Sequence, residues 1–90
     1  MMPDRKDAFL ALSDFAVGLN EIVGAYEDPD VVGTMGYVKV SPNEANIIPG
    51  SAVGIIDIRT CERKTISEIV KKLDELTEKI QKDRNVKINR

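Results

Sequence analysis

Residues 31–60, VVGTMGYVKVSPNEANIIPGSAVGIIDIRT, carry two apolar runs joined by a loop, and their reading decides the fold. Val31 to Val40 has the alternation of a strand, with Val32, Thr34, Val38 and Val40 on one face and Met35, Tyr37 and Lys39 on the other. Gly33 and Gly36 interrupt it, and strand glycines often mark a bulge or a close backbone approach. Pro42 ends the run. Ser41 to Ser51 is a loop containing the Pro49-Gly50 turn dipeptide. Ala52 to Thr60 is the second strand: Gly54, Ile56 and Ile58 share one face, and Val53, Ile55, Asp57 and Arg59 the other. Two strands joined by a loop of this length pair most simply as antiparallel neighbours.

Helical patterns flank this pair. Asp4 is an N-cap candidate for a helix from Arg5 to Tyr26. Its apolar stripe, drawn from Ala8, Phe9, Leu12, Phe15, Ala16, Leu19, Ile22, Val23 and Tyr26, is wider than a surface helix needs. Such a helix either lies deep on its own sheet or meets a second subunit as well. Gly18 and Gly24 weaken it intrinsically, so packing must hold it. After the second strand, Thr65-Ile66-Ser67-Glu68 fits a capping box. The helix that follows places Ile66, Ile69, Leu73, Leu76 and Ile80 on one side and charges on the other. Val86-Lys87-Ile88 alternates like a short last strand.

The order α-β-β-α-β predicts an α+β fold. It is a ferredoxin-like split βαβ unit lacking its first strand, an antiparallel sheet with two helices on one face. In the complete unit the first strand is interior to the sheet.

The 90 residues suffice for one domain with one thin core. A net charge of −2 provides no global positive field for nucleic acid or an anionic membrane. No run approaches membrane-spanning length. The late lysines and arginines alternate with acids, as on a solvated helix face. With no histidine and one cysteine, Cys61, the usual nitrogen and sulfur ligands for zinc are missing. Cys61 can form no internal disulfide, which suits a cytoplasmic protein, and has no histidine to activate it. No catalytic residue and no metal ligand is assigned.

The polar groups that remain informative are Asn46, in the Pro/Gly turn region, and Arg59, at the end of the second strand. An amide and a guanidinium can together grip a carboxylate, the guanidinium through its planar fork of donors. Each also has a plainer reading. Arg59 can pair on the surface with Asp57 or Glu62, and Asn46 can bind its own turn backbone.

Met2-Pro3-Asp4-Arg5-Lys6-Asp7-Ala8, then Val32-Gly33-Thr34-Met35-Gly36, Val40-Ser41-Pro42, Asn46-Ile47-Ile48-Pro49-Gly50 and Asp57-Ile58-Arg59 together resemble one known domain. It is the lid, or dimerization, domain of the zinc-dependent amidohydrolase and metallopeptidase family that includes N-carbamoyl-L-amino-acid hydrolase and allantoate amidohydrolase. The motif-level match runs from about residue 2 to residue 60. The resemblance implies a lid that dimerizes and binds substrate carboxylate for a hydrolase of linear amide C–N bonds. Asn46 and Arg59 would be substrate-binding. Two zinc or manganese ions would sit in a separate catalytic domain, and none in this chain. Two lids would pair as a homodimer through the first helix and the Val31–Val40 strand. On this reading residues 1–90 are a single domain, a fragment of a larger two-domain hydrolase, and inactive alone. The alternatives are a free-standing ferredoxin-like ligand-binding module and a purely structural dimerization module.

Overall fold

A computed structural model describes residues 6–90. The elements are α1 (Ala8–Gly24), β1 (Val32–Ser41), β2 (Ser51–Arg59) and α2 (Arg63–Arg84), an α+β arrangement. β1 and β2 form an antiparallel pair in which Val32 faces Arg59 and Ser41 faces Ser51.

Between Met35 and Tyr37 the register shifts, so that Gly36 is an extra residue. This bulge corrects the strict alternation expected of the first strand. An inserted residue swaps the faces beyond it. Gly33, Met35, Val38 and Val40 oppose the inward β2 residues Ile58, Ile56, Gly54 and Ala52, while Tyr37 opposes the outward Ile55. Val38 and Tyr37 have therefore exchanged the sides that simple alternation gives them. The faces of β2 follow the sequence reading throughout.

α1 starts later than expected, at Ala8, and the Asp4 cap lies outside the described residues. Asp7 caps it instead: its carboxylate accepts from the N–H groups of Phe9 and Leu10 at 3.0 and 3.1 Å. Asp7→Ala should lower stability by about 1 kcal/mol, read as an earlier urea midpoint with an unchanged slope. α2 starts earlier than the capping-box reading. Glu62 is its N-cap without a side-chain bond, and the Thr65 and Ile66 N–H groups both bond the Glu62 carbonyl. The Thr65 hydroxyl is thus inside the first turn rather than before it.

The direction of each element follows from its contacts. The Ala8 N–H donates to the Pro49 carbonyl at 3.1 Å, and Val23 lies against Gly33, whose strand partner is Ile58. α1 therefore runs alongside β2 in the same direction. α2 runs the opposite way: Arg84 clasps Asp14, Leu76 sits on Gly18, and Glu68 accepts from the Tyr26 hydroxyl. At Gly18 a side chain would collide with Leu76, which is why the two helices approach so closely there. The Asp14 carboxylate meets Arg84 through two bonds, of 2.7 and 3.2 Å, and raises the already high pKa of that guanidinium.

The core is small. Leu19, Val31, Ile69 and Leu73 form its buried centre, with Ile56 and Ile58 reaching it from the inner sheet face. Both helices thus cover one side of the hairpin. The buried stripe of α2 also contains Thr77, which the apolar pattern skips; its hydroxyl donates to the Leu73 carbonyl at 2.8 Å and so needs no water.

Val86-Lys87-Ile88 does not join the sheet as a strand. Asn85 turns the chain with a left-handed φ of 54°, and residues 86–90 double back along α2. The Ile88 N–H donates to Gln81 Oε1 at 2.8 Å, and Arg90 pairs with Asp74. The expected last strand has no backbone neighbour to pair with: its place in the split unit is beside the interior strand, which is not among the described elements. α2 side chains take over that role.

Candidate functional site

The loop from Pro42 to Gly50 is shaped by a cis Ser41–Pro42 peptide bond and by Asn43, whose φ of 59° is the left-handed conformation asparagine tolerates. The Gly50 N–H closes it by donating to the Ser41 carbonyl at 3.0 Å. Asn46 sits in the turn of this loop, exposed. It borders an open hollow of about 460 Å³ between the loop, Val40 and the start of α1 at Asp7 and Phe9.

Arg59 ends β2 at the other end of the hairpin. Its Nε donates to Asp57 Oδ2 at 2.8 Å, with the two side chains 78% and 57% exposed. This is the surface pair of the plainer reading, and so exposed a pair adds little to stability. The pair is made through Nε, and the two terminal nitrogens carry further donors that an anion could use.

The structure does not bring Asn46 and Arg59 together in one chain. β2 alone is about 27 Å long at roughly 3.4 Å per residue; Arg59 is its last residue, and the loop holding Asn46 precedes its first. A carboxylate a few ångströms wide cannot touch both. Sequence reasoning placed both residues correctly on their elements and missed this separation.

Around these residues much apolar surface is left uncovered. On α1, Phe9, Leu10 and Val17 are 44%, 42% and 58% exposed. On the outer sheet face Val32, Tyr37, Val53 and Ile55 are exposed to a similar degree. Cys61 is a free, exposed thiol near Asp30. Among the described residues no three of His, Cys, Asp or Glu converge on a point where a metal could bind. No helix among them is long and apolar enough to cross a membrane.

Comparison with known proteins gives this geometry a setting. No protein-family model matches the chain. It is 34% identical over 89 residues to a ureidoglycolate hydrolase of Arabidopsis thaliana, an alignment covering 99% of the chain and 19% of that protein. The ureidoglycolate hydrolase of Oryza sativa subsp. japonica is 31% identical over 86 residues, 96% of the chain and 18% of the relative. The crystal structure of AtUAH in complex with (S)-hydroxyglycine superposes with a TM-score of 0.89 at 34% identity, over 100% of this chain and 21% of that one. An amidase of the hydantoinase/carbamoylase family from Burkholderia multivorans gives 0.90 at 28% identity, over 97% and 21%.

The chain is related to one segment of these hydrolases. It spans about a fifth of their length. The residues around Asn46 and Arg59 are thus part of an amidohydrolase-related domain.

Proposed function

We propose that this chain is the dimerization and substrate-carboxylate-binding lid domain of a metal-dependent amidohydrolase of the N-carbamoyl-amino-acid or ureido-acid type. The observation that carries this reading is the near-complete superposition on one segment of a carbamoylase-family enzyme and of AtUAH. On this reading the chain's own share of the chemistry is binding and orientation, through the amide of Asn46 and the guanidinium of Arg59. Zinc or manganese in a separate catalytic domain would supply polarisation of the scissile group.

The 27 Å problem has a natural answer in a two-fold dimer. The outer edge of β1 has no strand partner among the described residues. Antiparallel pairing of two such edges about a two-fold axis lays the Ser41 end of one hairpin beside the Val32 end of the other. The Asn46 loop of one protomer then approaches the Arg59 end of its partner. The carboxylate grip is divided between subunits, each dimer holding two such sites. Arg59 supplies the planar fork and the partner's Asn46 supplies an amide. Phe9 fits this arrangement, since at 100° per residue it projects from the flank of α1 away from α2, on the β1 side.

Light scattering after size exclusion tests the assembly. The expected mass is twice the 10.0 kDa of the chain. Phe9→Glu is expected to give a folded monomer, because a half-exposed position tolerates charge in the monomer and not in an apolar contact. A monomeric parent chain at tens of micromolar would refute the dimer.

A further inference from the structure

β2 ends in two charges on its outer face. Asp57 and Arg59 are two residues apart, so both belong to the side of the strand that the helices leave open. The sequence offers Arg59 two carboxylates, Asp57 and Glu62, and the structure selects the first: Nε donates to Asp57 Oδ2 at 2.8 Å. The selected acid is the better anchored one. Asp57 is fixed in the strand ladder opposite Thr34, whereas Glu62 lies past the end of β2 as the N-cap of α2. Across the ladder stand Thr34 and Val32, neither of them charged, so β1 offers no competing ion directly opposite the pair.

The choice of nitrogen follows from lengths. Side chains two apart on a strand start roughly 7 Å from each other. A short aspartate meets the nitrogen nearest the arginine stem, which is Nε. A guanidinium can take a carboxylate side-on, through Nε and one terminal nitrogen, or end-on, through both terminal nitrogens. With Nε already bonded to Asp57, the end-on mode is the bidentate one left for a second carboxylate.

As a source of stability so exposed a pair is poor. Its charge even opposes binding, because Asp57 repels an arriving carboxylate. What it supplies is order. An unpaired arginine spreads over many rotamers and must give them up when it grips a ligand. A bond to Nε formed beforehand removes part of that loss and sets the direction of the fork.

We propose that Asp57 is a positioning residue for Arg59, holding Nε so that the substrate carboxylate is taken end-on by the two terminal nitrogens. This inference rests on the carboxylate-binding role of Arg59 proposed above and adds to it a residue that does not itself touch the substrate.

Turnover of N-carbamoylglycine by a full-length hydrolase carrying this domain provides the test. Asp57→Ala removes both the acceptor and the charge. It should lower kcat about tenfold to a hundredfold, the scale of a misplacement of about 1 Å. KM should stay level or fall by up to about twofold, since a repelling charge has gone. Asp57→Asn loses the charge and keeps an oxygen acceptor, so kcat should return to within about threefold of the parent. In the 90-residue chain itself, the Arg59 Nε–H proton should lie downfield and exchange slowly in the parent and in Asp57→Asn, and lose both properties in Asp57→Ala. An unchanged kcat in Asp57→Ala, an equal loss in both variants, or an Nε–H signal alike in the parent and Asp57→Ala would each overturn the proposal. Arg59→Ala separates the two levels. If it leaves kcat/KM unaltered, the carboxylate grip itself fails; if it lowers kcat/KM while Asp57→Ala keeps the parent kcat, the positioning role alone falls.

Discussion

Leu19→Glu is expected to unfold the chain at 25 °C. Leu19 is 2% exposed and packs with Val31, Ile69 and Leu73 at the point where α1, α2 and the strands meet. Losing a buried leucine costs about 2–5 kcal/mol. A carboxylate placed there without a partner costs several kcal/mol more, or is protonated at a comparable penalty. A domain of this length has about 5–13 kcal/mol in all, and among the described residues six apolar side chains are buried, a small core that puts it near the low end. Circular dichroism should show the loss of helix and no cooperative thermal transition. A cooperative melt within a few degrees of the parent would mean that this contact does not hold the helices to the sheet.

The second large effect tests the divided grip. In a full-length hydrolase carrying this domain, Asn46→Ala and Arg59→Ala should each lower kcat/KM strongly. Breaking a charge-assisted pair inside an interface is worth about 2–5 kcal/mol, or roughly 30-fold to several thousand-fold. Mixing the two variants under conditions that exchange subunits should then restore about a quarter of the sites, the statistical share for random pairing in a two-fold dimer. A mixed dimer has one site with both residues intact and one with neither. If both residues served one site from a single chain, mixing would restore nothing. Arg59→Lys should behave almost as badly as Arg59→Ala, since lysine retains the charge and loses the fork.

The legible parts of this fold were those set by periodicity. The α2 stripe and the two faces of β2 can be read directly, because each is a regular repeat buried on one side. The errors arose where a local signal had competitors. Asp4 and Asp7 are equally good caps by type, and the packing of Ala8 against Pro49 shows where the described helix begins. Thr65 looked like a cap because of Glu68, but Glu68 faces Tyr26 across the helix pair. Gly36 was recognisable as a bulge candidate, yet its effect on the faces depends on pairing, which a single strand does not carry. The alternation of Val86 and Ile88 was real, but a strand also needs a neighbour. For the site, Asn46 and Arg59 are near each other in sequence, and that nearness concealed their separation: a strand is the element that carries residues apart most quickly per position.

The bulge at Gly36 bears on how far assembly can go. A hairpin with two open edges could stack copy upon copy without end, as fibrils do. The extra residue in mid-strand bends and twists β1, so its outer edge suits one local two-fold contact rather than a long flat lamination. In the proposed dimer the β1 edge is used once per protomer, so strand addition at that edge would stop at a pair. Resistance to open-ended strand stacking would then rest on a single glycine as much as on surface charge.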